Sequence, residues 1–101
     1  MSMLYAIIGR DAPDALPRRR AARPAHLARI DALLADGRLV VAGPMPAIDA
    51  PDPGPAGCAG SLILAEFDSL AAANAWAEAD PYVAERVFAS VEVHPFVRVK
   101  P

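Results

Sequence analysis

The sequence has 101 residues, a length typical of one folded domain, and we expect a single domain over residues 1–101. Its composition, 54% hydrophobic and 22% charged, excludes a disordered chain, which would be poorer in apolar residues. The net charge of −2 supplies no long-range field that would attract nucleic acid, so we expect no nucleic-acid partner.

The first predicted element is a buried strand at residues 3–9, a short apolar run closed by Gly9. No basic segment precedes this run, and it is too short to span a bilayer, so we expect no membrane partner. The single cysteine, Cys58, excludes an internal disulfide and fits a reducing compartment. We therefore expect a cytoplasmic protein.

The segment from about residue 18 to residue 36 predicts an amphipathic helix, which Gly37 ends. Its apolar face is formed by Leu27, Ile30, Leu33 and Leu34. Pro24 leaves two possibilities open, a kink at this position or a regular helix that begins there.

A basic run opens this helix, formed by Arg18, Arg19, Arg20 and Arg23. Acidic residues follow it, and no aromatic side chains on which bases could stack are interleaved with it. We interpret the run as a solvated helix start.

Residues 38–43 are apolar on both faces, which predicts a central strand packed on both sides. Five prolines and three glycines then fall between Pro44 and Gly60, which predicts a long loop. Loops of this length are commonly functional, so this one is either a wall or lid of a site or a proline-stiffened surface connection.

Residues 61–67 predict a third strand, and an alanine-rich helix follows at 70–78 with Ser69 as its N-cap. Leu70, Ala73, Trp76 and Ala77 share one face of this helix. Asp80 and Pro81 then end it and open a short further helical turn.

Residues 88–99 alternate and predict the fourth strand. One face carries Val91, Val93, Val97 and Val99, and the other carries Glu92, His94, Phe96 and Arg98. The order β-α-β-β-α-β predicts an α+β, ferredoxin-like fold, an antiparallel sheet with two helices on one face. Since the other face has no cover, we expect a homodimer formed through the face that carries His94.

Two histidines are candidates for chemistry. His26 lies on the inward stripe of the first helix, where it is either an acid/base group or a core histidine with one hydrogen bond. His94 is better explained as an interface or surface group. Asp80 is either only the N-cap of its turn or a carboxylate that orients an imidazole. Two isolated histidines and one cysteine offer no metal-ligand spacing, so we expect no metal.

Several short motifs, in this order, resemble the YciI-like (YCII-related) proteins over nearly the whole chain. They are residues 20–27 (RAARPAHL), 37–44 (GRLVVAGP), 60–61 (GS), 80–82 (DPY) and 91–96 (VEVHPF). The resemblance implies a ferredoxin-like fold that dimerises into an α/β barrel. It also implies a pocket in which the helix histidine and the Asp-Pro-Tyr aspartate, here His26 and Asp80, form a catalytic pair.

Two functions follow as hypotheses. The first is a small cofactor-free enzyme of elimination or isomerisation type, in which His26 is the acid or base and Asp80 orients it. Its small substrate, aromatic or anionic, is bound by Arg23, Gly43, Pro44, Ser61 and Tyr82. The second is a non-catalytic module of the same fold that only binds a small ligand or a partner.

Overall fold

The structure, a computed structural model, describes residues 2–101. Its elements are β1 (Met3–Asp11), α1 (Leu16–Ala35), β2 (Leu39–Pro46), a 3-10 turn (Gly54–Ala56), β3 (Cys58–Phe67), α2 (Leu70–Glu78), α3 (Pro81–Ala84) and β4 (Phe88–Phe96). The four strands form one antiparallel sheet in the order β2-β3-β1-β4. The predicted ferredoxin-like α+β fold is therefore confirmed.

The main core lies between the helices and one face of the sheet. On the central strands Ile7 stands opposite Ile63, so both side chains project to the helix side. Ala73 and Ala77 line the buried face of α2, and their small size lets this helix lie close to the strands. Leu70, predicted on the same face, is exposed in the first turn of α2. The predicted cap of α2 is confirmed, since the Ser69 hydroxyl accepts a hydrogen bond from the Ala72 amide.

Helix α1 runs without a break through Pro24. Proline cannot donate a backbone hydrogen bond to the carbonyl of Arg20, one turn earlier. Both residues are exposed, so this carbonyl is not confined to the core, and the helix tolerates the proline. The predicted apolar face was wrong at Leu34, which is 61% exposed, whereas its neighbour Leu33 is buried.

The second strand is an edge strand, and the prediction of a central strand was wrong. It is apolar on both sides because one side meets the helix layer and the other belongs to the uncovered sheet face. It also extends to Pro46, and β3 begins at Cys58, so the predicted loop shrinks to residues 47–57. An edge strand accepts proline because amides that point to solvent need no partner strand.

Strand β4 ends at Phe96, three residues before the predicted end. Its pairing with β1 ends at Leu4–Phe96, one residue from the start of β1 at Met3. Arg98 therefore lies outside the sheet, as do the exposed Val97 and Val99.

Candidate functional site

A single buried stripe along α1 carries both apolar and polar side chains. Its members, Arg19, Ala22, His26, Ile30 and Leu33, recur at intervals of three or four residues and so lie on one face of the helix. The C-terminal part of the stripe, Ile30 and Leu33, packs into the core. The two polar members are therefore held between helix and sheet, where each needs a hydrogen-bond partner.

His26 finds its partner 54 positions away in the chain. Its Nδ1 lies 2.8 Å from Oδ2 and 2.9 Å from Oδ1 of Asp80. The two residues are only 5% and 3% exposed. A carboxylate can only accept hydrogen bonds, so the proton of the pair lies on Nδ1. Nε2 of His26 has no hydrogen-bond partner within residues 2–101, which leaves it available as a proton acceptor or donor.

Asp80 has two roles in the structure at the same time. It is the predicted N-cap of α3, with Oδ1 accepting a hydrogen bond from the Tyr82 amide at 2.9 Å. The same carboxylate accepts from His26. Since the cap fixes the position of the carboxylate, α3 also fixes the orientation of the imidazole ring.

Tyr82 covers the face of the imidazole. The two rings are nearly parallel, at 6° and with centroids 3.9 Å apart. Burial raises the pKa of the Tyr82 hydroxyl, although the nearby charges of Arg19 and Arg23 oppose this shift. The ring is therefore a neutral wall, which keeps water from one side of His26.

Arg19 occupies the buried stripe two turns before His26. Its Nε and Nη2 donate to the two carboxylate oxygens of Asp11 at 2.9 and 2.7 Å, and Nη2 also donates to Ser61 Oγ at 3.0 Å. Burial lowers the pKa of the guanidinium, but the hydrogen bond and the charge of Asp11 outweigh this effect, and the pKa is raised overall. The interpretation of the basic run as solvated was therefore wrong for Arg19.

A pocket of about 170 Å³ opens beside these groups. Its lining includes all the residues predicted to bind substrate, namely Arg23, Gly43, Pro44, Ser61 and Tyr82, together with His26. Asp80 lies behind His26, on the side of Nδ1. The structure thus brings every predicted site residue to one place, while the chemical roles of these residues stay predictions.

Sequence reasoning missed part of this pocket. Arg19 and the apolar side chains Leu27, Ile30, Ala42 and Ile63 also line it. Arg19 could have been found from its spacing, because seven residues are two helical turns and place it on the face of His26. No sequence pattern pointed to Asp11, because only the folded sheet places this residue, the last of β1, beside Arg19 of α1.

The second histidine lies elsewhere. His94 is exposed on the uncovered face of the sheet, with Nε2 3.4 Å from a carboxylate oxygen of Glu92. In the part of the chain that the structure describes, no cluster of three or more His, Cys, Asp or Glu side chains is arranged to hold a metal ion. None of the helices in residues 2–101 is both long enough and apolar enough to cross a membrane.

Comparison with known proteins matches residues 3–97 to the YCII-related domain. Protein YciI of Escherichia coli O6:H1 is 57% identical over 97 residues, which cover 96% of this chain and 99% of that protein. An uncharacterized protein of Haemophilus influenzae is 48% identical over the same shares of the two chains. The resemblance based on the short motifs is therefore confirmed.

A solved structure extends the comparison to an enzyme. The 5-chloro-2-hydroxyhydroquinone dehydrochlorinase TftG of Burkholderia phenoliruptrix, in complex with 2,5-dihydroxybenzoquinone, is similar with a TM-score of 0.82. The sequences are 27% identical, and the match covers 94% of each chain. At least one protein with a similar fold is therefore a small-molecule enzyme.

Proposed function

Because the chain belongs to the YCII-related domain family, we propose that it is a small-molecule enzyme in which His26 transfers a proton and Asp80 orients His26. One observation carries this proposal: a buried histidine is held by a carboxylate through Nδ1, and it lines a pocket with Nε2 unpaired. An acid/base group needs this arrangement, since one ring nitrogen fixes the tautomer and the other exchanges the proton.

The geometry suits elimination or isomerisation. In an elimination from the keto tautomer of a hydroxylated ring, Nε2 takes the proton of a remaining hydroxyl group, and the electron pair of that O–H bond forms a C=O bond. The adjacent ring π pair then forms a C=C bond to the carbon that bears the leaving group. The leaving group departs as an anion with the electrons of its own bond. In an isomerisation, the protonated Nε2 returns the proton to a different atom of the same molecule. Both reactions balance with substrate and protein groups alone, so the proposal includes no cofactor.

The size of the pocket favours a substrate with a single ring. An engineered apolar cavity of about 150 Å³ binds benzene, so the 170 Å³ available here hold one ring of that size. Ile30 and Ile63 supply apolar walls, and Ser61 supplies a hydroxyl for polar substituents. The similar fold of TftG, which acts on a chlorinated hydroxyhydroquinone, supports a hydroxylated ring as the substrate class.

A homodimer belongs to the same proposal. The sheet face opposite the helices carries the apolar side chains Leu4, Ala6, Ile8, Val41, Leu62 and Leu64, which the register aligns across three strands. Glu92, His94 and Phe96 continue this face on β4, whereas Arg98 lies beyond it. A second copy that places its own sheet face here would cover the apolar rows.

The test is turnover of single-ring hydroxylated aromatics that carry a leaving group, such as chlorinated hydroquinones, followed by release of the halide ion. We expect His26→Asn to abolish the release and to retain ligand binding. His94→Asn is the matched control, because it removes the other histidine, which lies outside the pocket. If ring compounds raise the melting temperature but no compound in the panel is converted, the chain is a binding module and the proposed function is wrong.

A further inference from the structure

A second cavity adjoins the pocket along α1. It has a volume of about 320 Å³ and shares Arg19, Arg23 and Pro44 with the pocket, so the two spaces are adjacent. We call this second cavity the outer groove. Its other walls are Leu16, Arg20 and, from the segment between β2 and β3 and the start of β3, Asp52, Pro53, Gly54, Gly57 and Cys58. A ligand at His26 that extends along α1 past Arg23 would therefore reach the groove.

The charges of the two spaces differ. In the pocket, Arg19 is paired with Asp11, and His26 is paired with Asp80. Arg20 and Arg23 line the outer groove, are exposed, and form no ion pair with any residue in the range 2–101. Arg23 also lines the pocket, so the uncompensated positive charge of the site lies in the outer groove and at its border with the pocket.

One acidic residue also lines the groove. Asp52 uses one carboxylate oxygen to accept a hydrogen bond from the Gly54 amide at 3.0 Å, which stabilises the turn, and it makes no ion pair with either arginine. Since Asp11 balances the charge of Arg19, the other two arginines, Arg20 and Arg23, against Asp52 leave an excess of one positive charge. This excess favours an anion over a neutral group.

The walls of the groove are fixed in advance. Pro53 and Pro55 restrict the backbone of the segment, and the Gly57 amide donates to the carbonyl of Gly54 at 3.1 Å. The Ala47 amide donates to the Gly57 carbonyl at 2.9 Å, which ties the segment to the end of β2. Binding of a ligand therefore costs little conformational entropy of the protein.

We propose that the site binds an elongated ligand, a ring at His26 that bears an anionic group on a short chain, and that Arg20 and Arg23 hold this anion in the outer groove. The helix sets the spacing, since Arg23 and Arg20 precede His26 by about 4.5 and 9 Å along the axis of α1. Arg19 is a weaker partner for the anion, because Asp11 balances its charge and its Nε and Nη2 donate to Asp11 and Ser61. This inference rests on the proposed function for the position of the ring.

The experiment compares 3-(3,4-dihydroxyphenyl)propanoate with its neutral amide by calorimetric titration. We expect the propanoate to bind more tightly, and we expect added salt to weaken only the propanoate. Arg20→Gln should weaken it by about two- to fivefold with the amide unaffected, because Arg20 lines the groove and not the pocket. Arg23→Gln, at the border with the pocket, should weaken the propanoate more than the amide, and the double variant should weaken the propanoate by about tenfold. Arg86→Gln is the matched control, since it removes one exposed arginine that does not line either cavity.

Equal affinity for the propanoate and the amide would overturn the inference, and so would no binding of the propanoate at millimolar concentration. The inference would also be overturned if the double variant bound the propanoate and the amide more weakly by the same factor. The proposed enzyme activity and the proposed anion site in the outer groove can be refuted independently. A preference for the propanoate without turnover of any ring compound refutes the enzyme and keeps the groove, whereas turnover without that preference refutes the groove and keeps the enzyme.

Discussion

Asp80→Asn separates the two roles of Asp80. Asparagine is as good an N-cap as aspartate, so its Oδ1 keeps the hydrogen bond from the Tyr82 amide. Its amide group, however, presents N–H donors where the second carboxylate oxygen faced Nδ1 of His26. A protonated Nδ1 would keep only Oδ1, at 2.9 Å and already bonded to the Tyr82 amide, and would face the new N–H donors, so we expect the other tautomer, with Nδ1 as acceptor and the proton on Nε2. A histidine in that state cannot accept a proton from the substrate.

The expected loss of stability in Asp80→Asn follows from the contacts that the variant keeps and loses. The variant loses a charge-assisted hydrogen bond of about 1.5–3 kcal/mol and gains a neutral one of about 0.5–1.5 kcal/mol. A net loss of about 1 kcal/mol lowers the melting temperature of a domain of this size by roughly 4–8 °C. Activity falls much further, by about 10²–10⁴-fold, which is the usual contribution of a general acid or base.

Two assays read these effects. Long-range proton–nitrogen correlation spectra at pH 9, well above the ordinary range for imidazole, report the tautomer without a substrate. We expect the proton of His26 on Nδ1 in the parent chain and on Nε2 in the variant, and His94→Asn removes the only other histidine signal. Kinetics then test coupling, since His26→Asn together with Asp80→Asn should lose little more activity than the worse single variant.

One result would refute this reasoning. If Asp80→Asn keeps its activity within a factor of two and keeps the parent tautomer, Asp80 is only a helix cap. The pairing with His26 would then have a structural role, and the proposed mechanism would have to proceed without an orienting carboxylate.

Three further outcomes test other parts of the structure. Arg19→Met leaves the buried Asp11 carboxylate without its partner and should lower the free energy of unfolding by about 3–5 kcal/mol in a urea titration, and a loss under 1 kcal/mol would contradict the buried ion pair. Gly60→Ala should prevent stable folding, because a Cβ there overlaps the Gly9 carbonyl, whereas Gly43→Ala has open space and should fold and melt normally. Light scattering should give twice the mass of one chain, and Leu64→Asp on the uncovered sheet face should halve it; a monomeric parent chain would refute the dimer.

The fold was predictable because each element carries its own local signal. Gly37 ends α1 with a positive φ, and Ser69 caps α2, so both helices could be placed from short patterns. The position of β2 at an edge could not be predicted, since an apolar uncovered face gives an edge strand the same pattern as a central one. The prolines of β2 looked like a loop for a related reason, because sequence does not show which amides lack a partner strand.

The candidate site was predictable in its members and not in its contacts. His26 stood on the inward stripe, and Asp80 carried the pattern of a cap, but only the packing of α3 beside α1 joins them. Arg19 was misread because a run of charges is usually solvated. Its burial depends on Asp11 at the end of β1, a long-range partner that no local pattern announces.

Prolines on both outer strands also bear on how this chain avoids aggregation. Pro44 and Pro46 lie on β2, and Pro95 lies on β4, so each exposed border of the sheet lacks some of the amide groups that an added strand would need. The addition of strands from further chains is the first step toward fibrils. The prolines hinder this addition at both edge strands, β2 and β4. Pro44 also lines the pocket, so a substitution introduced there to widen the specificity of the site would remove part of this protection.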